Sequence, residues 1–179
     1  MKKFLLASIL SVLPFASNAN DFNIKPVVGL DCAYAKINLQ NGWQRIAEEK
    51  YHSASAVIGI KLNDTIGLEA FYQQSLEETI TPISTKFNAF GFDSLAYIPI
   101  NDTIDVVPSF GIARYKVEAS VKGLLSVNED RLGLRGGIGA QINFNENVGL
   151  RISGRFVYFD DLDSVDSLWE ISTGLRFTF

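Results

Sequence analysis

Residues 168–179 most constrain the fold, because apolar and polar side chains alternate through them without a break. One parity holds Trp169, Ile171, Thr173, Leu175, Phe177 and Phe179. The other holds Glu170, Ser172, Gly174, Arg176 and Thr178. A period of two predicts a β-strand with one apolar and one polar face. Its aromatic end at Phe179 is typical of a strand that faces lipid and ends at the headgroup level.

The N-terminus predicts export. Lys2 and Lys3 precede a mostly apolar stretch, residues 4–15, and small residues stand at Ser17 and Ala19. This pattern indicates a cleaved signal peptide over residues 1–19, which leaves residues 20–179 as one domain. Nothing else in the chain approaches the roughly 20 apolar residues of a transmembrane helix. A membrane location therefore requires a closed barrel.

The connections between apolar segments alternate in kind. Tight turns are predicted where an Asn–acid pair separates two apolar strand ends, at 63–64, 101–102 and 145–146, because Asn and Asp tolerate turn dihedrals. Looser polar connections lie near residues 39–50, 76–84, 119–129 and 160–166. Three turns and four loops join eight strands. The sequence therefore predicts an all-β, eight-stranded antiparallel up-and-down transmembrane barrel with periplasmic termini.

Glycine placement indicates which face points inward. In residues 131–144, Gly133, Gly137 and Gly139 share the parity of Arg131 and Arg135. Glycines weaken an exposed sheet surface but leave room for long side chains in a narrow lumen. The predicted lumenal charge network comprises Glu69, Arg131, Arg135, Arg151, Arg155, Glu170 and Arg176. The strands near 26–38, 86–99 and 104–118 have no clear parity, and their facing stays unassigned.

The aromatic-ended last strand, the Asn–acid turns and the segment 105–113 (DVVPSFGIA) resemble the small bacterial outer-membrane barrels. These include the opacity-protein and OmpX-like surface proteins and the OmpA transmembrane domain. The resemblance implies location in the bacterial outer membrane and insertion by the outer-membrane assembly machinery. The matching assembly signal is Leu175, Phe177 and Phe179. The chain stops without the periplasmic domain of OmpA, so anchoring to the cell wall is not implied.

Catalytic, metal and cofactor chemistry find little support in the sequence. The single histidine, His52, is followed two residues later by Ala54, whereas the barrel lipid A deacylases place Ser there. The acids of residues 160–166 allow a calcium site, but the segment lacks the Gly and the terminal Glu of an EF-hand, and a solvated external loop is the favoured explanation. The lone Cys32 excludes an internal disulfide, and the net charge of −4 argues against nucleic acid. We therefore expect no enzymatic activity, no metal and no cofactor.

Two functions remain open for a monomeric barrel in contact with lipid and lipopolysaccharide. The first is a non-enzymatic surface protein whose external loops mediate adhesion or antigenic contact with a host or surface ligand. Its contact candidates are Trp43, Glu48, Glu49, Glu77, Glu78, Lys122, Asp160, Asp161, Asp163 and Asp166. The second is a narrow, porin-like channel in which the lumenal arginines select small anions. In the alternative structural interpretation those arginines form a plug, because eight strands enclose only enough space for their own side chains.

Overall fold

The computed structural model describes residues 24–39, 50–76, 78–80, 83–121, 125–159 and 165–179. Eight long strands account for most of them: β1 (Lys25–Leu39), β2 (Lys50–Lys61), β3 (Ile66–Ser75), β4 (Ile83–Ala96), β5 (Ile104–Val121), β6 (Leu125–Asn143), β7 (Val148–Phe159) and β8 (Val165–Thr178). Two short segments extend the ladders. Glu78–Ile80 pairs with the start of β4, and Ile98–Pro99 pairs with β5.

The strands form one closed antiparallel sheet. Each strand pairs with its neighbours in sequence, and β1 also pairs with β8, from Val27 opposite Thr178 to Leu39 opposite Val165. This closure confirms the predicted eight-stranded barrel and leaves no unpaired sheet edge among the described strands. None of the described residues forms a helix of the length and apolarity needed to cross a bilayer.

The three tight turns share one hydrogen-bonding pattern. The side-chain Oδ1 of Asn63 accepts hydrogen bonds from the backbone N–H groups of Thr65 and Ile66, at 2.9 and 2.7 Å. Asn101 and Asn145 do the same for the residues two and three positions later, at 2.8–2.9 Å. An asparagine side chain that caps its own turn explains why Asn recurs here. The predicted turns are confirmed at all three positions.

The outer face of the barrel is apolar and exposed. Leu30, Ile58, Ile138 and Ile171 each expose between 62 and 65% of their surface, although each belongs to a regular strand. The inner face holds most of the buried charged side chains. This distribution reverses that of a soluble barrel and agrees with the predicted facing, in which apolar side chains meet lipid.

The structure also assigns the facing of the three ambiguous strands. The buried, inward positions of β1 are Val27, Gly29, Asp31, Ala33 and Ala35. Those of β4 and the residue after it are Phe87, Ala89, Gly91, Asp93, Leu95 and Tyr97. Those of β5 include Val107, Gly111, Ala113 and Tyr115. Many of these side chains are apolar, so both faces of these strands are apolar over part of their length. The alternation is lost for that reason.

Three predicted loop boundaries are wrong. The predicted loop near 76–84 contains the short strand Glu78–Ile80, which pairs with residues 83–85 at the start of β4. The predicted loop near 119–129 is mostly strand, because β5 and β6 stay paired as far as Val121 opposite Leu125. The predicted loop over 160–166 ends earlier, since Val165 and Asp166 belong to β8. In a pair of strands, the backbone N–H and C=O groups are satisfied by the hydrogen bonds between the strands, whichever side chains the strands carry. A hairpin can therefore continue beyond the apolar band with polar residues that look like a loop in sequence.

Candidate functional site

Inward side chains of the lumen form an ion-pair network. Its members are Asp31, Glu69, Asp93, Arg135, Arg151, Arg155, Glu170 and Arg176, and each exposes at most 8% of its surface. They come from six different strands. These side chains meet in the lumen because every second residue of each strand points inward.

Glu69 joins two arginines in the part of the network nearer the periplasm. Arg151 Nη1 donates to both carboxylate oxygens of Glu69, at 2.8 and 3.0 Å. Arg176 donates to Glu69 at 3.3 and 3.4 Å, and makes a closer bidentate pair with Asp31 at 2.6 and 3.0 Å. Arg151 Nη2 donates to the Tyr97 hydroxyl at 2.9 Å. Two arginines and two carboxylates thus neutralise each other in fixed geometry.

Glu170 organises a second group of contacts nearer the external side. Arg155 Nη1 donates to Glu170 Oε1 at 2.8 Å and to Ser172 Oγ at 2.9 Å. Gln73 Nε2 donates to the other Glu170 oxygen and to Ser53 Oγ. Both charged groups named here thus have an opposite charge inside the barrel, which is the condition for a buried charge to be tolerated, although Nε of Arg155 has no hydrogen-bond partner.

Arg135 is held more loosely than the other arginines. Its Nη2 lies 3.4 Å from Asp93 Oδ2, and its guanidinium stacks over the Phe71 ring at 3.8 Å from the centroid, a cation–π contact. Arg135 and Asp93 line a cavity of about 10 Å³ together with Arg155 and Glu69. That volume holds about one water molecule. Among the described residues, the side chains of the network therefore fill the space between them except for this one cavity.

The network carries no net formal charge. Four arginines face four carboxylates, so its charges are matched one to one. A pathway that selects anions needs uncompensated positive charge along its wall. These arginines are instead committed to carboxylates of the same barrel.

An aromatic layer closes the lumen on the external side of the network. Tyr51, Phe87, Tyr115 and Phe159 expose between 2 and 7% of their surface. Their rings touch in sequence, with centroid distances of 5.6, 6.5 and 5.2 Å, two of the three contacts being edge to face. Contributed by β2, β4, β5 and β7, they cross the interior from wall to wall. The layer adds an apolar barrier to the charged plug.

The periplasmic mouth is open by contrast. A cavity of about 430 Å³ lies between the three tight turns and the strand ends, and its charged lining residues are Lys25, Lys61, Asp64, Asp102 and Glu146. It contains charges of both signs, and Lys25 Nζ lies 3.8 Å from Asp64. The cavity is a vestibule that ends at the ion-pair network.

Six of the seven residues predicted for the lumenal network lie together in it, and Arg131 does not. Arg131 has the inward register, opposite Tyr115, but its side chain is exposed. Tyr115 belongs to the aromatic layer, so Arg131 stands at the external end of the lumen, where solvent reaches it. Parity gives the face of a strand but not the depth along the barrel, and the prediction for Arg131 is wrong for that reason.

Asp31 and Asp93 belong to the network but were not predicted from the sequence. Both lie on strands whose parity was ambiguous, β1 and β4. The sequence held a usable signal: five predicted arginines with two predicted glutamates leave an excess of buried positive charge, which requires more carboxylates. Glycines opposite them were a second signal. Gly174 faces Asp31 and Gly111 faces Asp93 across the ladder, and a Cβ at either glycine would collide with the aspartate.

The external contact candidates mostly lie outside the described residues. These are Trp43, Glu48, Glu49, Glu77, Lys122, Asp160, Asp161 and Asp163. Glu78 and Asp166 lie in strands at the external end. The calcium alternative rests on the same acids. Within the described part of the chain no three metal-ligating side chains come together.

His52 lies on the outer face of β2, exposed, with its ring 5.5 Å from that of Tyr34. Ala54 shares that face, and Ser53 points into the lumen, where it accepts a hydrogen bond from Gln73. The histidine and the neighbouring hydroxyl therefore lie on opposite sides of the barrel wall.

The residues of the predicted assembly signal, and other aromatic residues near the two ends of the barrel, lie on the outer face. Trp169 and Tyr158 are exposed at the external ends of β8 and β7, and Phe144 and Phe179 at the opposite end. Leu175 and Phe177 point outward on β8, in line with Phe179. The aromatic side chains thus border the apolar band on both sides, as in transmembrane barrels.

Comparison with known proteins agrees with this architecture. The family model described as outer membrane protein beta-barrel domain matches residues 4–177. No curated protein sequence matches the chain significantly. Among solved structures, Neisserial surface protein A has a TM-score of 0.73 at 18% identity and covers 86% of this chain and 97% of its own.

Two further structures are similar over comparable lengths. Ail, the attachment invasion locus protein of Yersinia pestis, has a TM-score of 0.63 at 16% identity, with 87% of this chain and 98% of Ail covered. The N-terminal barrel domain of Pseudomonas aeruginosa OprF has a TM-score of 0.63 at 15% identity, with 86% and 97% covered. At these identities the likeness concerns the fold.

Proposed function

The chain belongs to the outer membrane protein β-barrel family, and from that premise we propose that it is a non-enzymatic surface protein whose external loops make its molecular contacts. The protein is located in the bacterial outer membrane, where an up-and-down barrel presents its longer loops to the exterior and its short turns to the periplasm. In this proposal the barrel is a rigid support and the loops carry recognition.

The closed lumen is the observation that carries the proposal. The eight charges of the network are paired within the barrel, and the aromatic layer covers them on the external side. Within the described residues, the space left beside these charges is about the size of one water molecule. Its unpartnered polar atoms, such as Nε and Nη1 of Arg135, are therefore out of reach of a ligand larger than water. The same observation weighs against the alternative of a narrow anion channel, and no contact between the described lumenal residues favours that alternative.

The charge of the contact candidates indicates the kind of partner. Eight of the ten are carboxylates, Lys122 is the one cation, and Trp43 is the one aromatic anchor. Ail is named the attachment invasion locus protein, and one of its structures is a complex with the heparin analogue sucrose octasulfate. For this chain we infer attachment to a cationic protein surface, because carboxylate-rich loops repel a sulfated polysaccharide.

Loop replacement tests the proposal. Residues 40–49 are exchanged for a Gly-Ser tract of equal length, and Asp160, Asp161 and Asp163 are changed to Asn in a second variant. Attachment of cells that display each variant to host cells and to surfaces coated with basic protein is compared with wild type, at equal surface amounts. Lower attachment by either variant supports the proposal. Unchanged attachment by both would contradict it.

We also propose that Leu175, Phe177 and Phe179 form the signal by which the assembly machinery recognises the last strand. Deletion of Phe179 should lower the amount of protein in the outer membrane while leaving refolding of the purified chain in detergent unchanged. Equal loss in both measurements would mean that Phe179 serves only folding.

A further inference from the structure

Two lysines oppose each other on the outer surface of the barrel near its external end. Lys36 on β1 is the direct cross-strand partner of Lys50 on β2, and both side chains are exposed. Residues in this relation have Cβ atoms about 4.5–5.5 Å apart, and like charges there destabilise the pair. Among the described side chains, neither lysine has a carboxylate within ion-pair distance.

The height of this pair on the barrel is set by its neighbours. Lys36 also faces Trp169 across the β1–β8 ladder, and the next outward row contains the contacting rings of Tyr34 and His52. Below them the outward residues of β1 are Val28, Leu30 and Cys32. The eight residue steps from Val28 to Lys36 rise about 26 Å along the strand, or about 20 Å along the membrane normal at a tilt of about 40°. That height is the border between the hydrocarbon and the headgroups.

On the opposite side of the barrel, the exposed basic residues have carboxylate partners. Lys116 on β5 is the direct partner of Asp130 on β6, and Arg114 Nε donates to Asp130 Oδ1 at 2.6 Å. The basic residues there have a carboxylate of the same barrel within reach. The chain as a whole is acidic, with a net charge of −4. Within the described part of the chain, an opposed lysine pair without a carboxylate partner is therefore a local feature and does not follow from composition.

We propose that Lys36 and Lys50 bind the phosphate group of a phosphorylated lipid in the outer leaflet. A phosphate monoester carries between one and two negative charges, and two ammonium groups at one height supply the matching charge and several donors. The indole N–H of Trp169 and the hydroxyl of Tyr34 are further donors at the same border. The apolar band beneath them suits the acyl chains of the same lipid. The site depends on the outer-membrane location and is independent of the loop contacts.

Vesicles that differ only in lipid phosphate test this site. The purified protein is refolded into phosphatidylcholine vesicles that contain either bisphosphorylated lipid A or the same lipid A with its phosphates removed. Samples are heated to a series of temperatures and then run on a gel without further heating. The unfolding temperature is the one at which half of the fast-migrating folded form is lost. The wild type should unfold at a higher temperature in the phosphorylated vesicles, and the variant Lys36→Gln/Lys50→Gln should lose most of that difference.

Two controls make the result specific. Lys116→Gln removes one exposed cation at a similar height and should keep the phosphate-dependent difference. Inorganic phosphate added to wild type in the dephosphorylated vesicles should give no comparable rise. The proposal is overturned if the double lysine variant keeps the full difference, or if Lys116→Gln loses as much. It is likewise overturned if free phosphate reproduces the rise, because the lipid is then not the source. Both variants change exposed side chains, so folding is checked by gel migration in pure phosphatidylcholine.

Discussion

Arg176 on the last strand forms a bidentate ion pair with Asp31 on the first strand, with N–O distances of 2.6 and 3.0 Å. The pair therefore spans the seam at which the barrel closes. Arg176 also reaches Glu69 on β3, so one guanidinium ties three strands together from inside. The lumenal charges hold the closed barrel and are not exposed to passing solutes.

Replacing Arg176 should strongly destabilise the barrel. In Arg176→Met, Asp31 loses its bidentate partner while it stays buried, and removal of one partner from a buried ion pair costs about 3–5 kcal/mol. Urea unfolding of the protein refolded in detergent measures this free energy. The double variant Asp31→Asn/Arg176→Met should recover a substantial part of the loss, because no unpaired carboxylate remains at residue 31. If the free-energy changes of the two single substitutions simply added up in the double variant, the two groups would not interact.

A side chain at residue 174 should disturb the same seam. A Cβ on Gly174 would collide with the Asp31 carboxylate and with the backbone oxygen of Leu30, so Gly174→Val should cost about 1–3 kcal/mol by overpacking. Thr173→Val, one residue away on the lipid-facing side, is the matched control and should leave the unfolding midpoint almost unchanged. Equal midpoints for Gly174→Val and wild type would show that the seam can adjust.

The aromatic layer should contribute more stability than aromatic residues of the same strand that face lipid. Phe87→Ala removes a ring that is 2% exposed and contacts Tyr51 and Tyr115, which should cost about 3–5 kcal/mol. Phe90→Ala removes a ring of the same size that is 53% exposed on the outer face and should cost less. The two urea unfolding curves compare them directly, and a larger loss for Phe90→Ala would contradict the assignment of the layer.

The surface pair between Arg114 and Asp130 should give a small dependence of stability on pH. The hydrogen bond from Arg114 lowers the pKa of the exposed Asp130 below its usual value. A group with a lowered pKa in the folded protein adds stability above its unfolded pKa, about 3.9 for Asp, and loses it as the pH falls through the folded pKa. At pH 7, Asp130→Asn should therefore unfold at a slightly lower urea concentration than wild type. At pH 2 the two proteins should unfold at the same concentration. A gap that widened on acidification would contradict this sign.

The strand pattern was predictable where the two faces differ in polarity over the whole strand. β6 and β8 alternate cleanly because their inward residues, such as Arg135 and Arg176, are polar or glycine. β1, β4 and β5 could not be assigned, because the aromatic layer and its neighbours place apolar residues such as Phe87 and Tyr115 inside. Asp31 and Asp93 were missed with those strands. A local period identifies a face, whereas the filling of the lumen depends on side chains from strands that are distant in sequence.

Single-channel recording in a planar bilayer tests most directly whether the lumen is closed. The refolded protein, with folding verified by heat-dependent gel migration, is recorded at several salt concentrations. The paired network and the aromatic layer predict a silent bilayer. Reproducible conductance steps with anion preference, abolished when Arg135 and Arg155 are made neutral, would contradict the closed barrel and would favour the channel in its place.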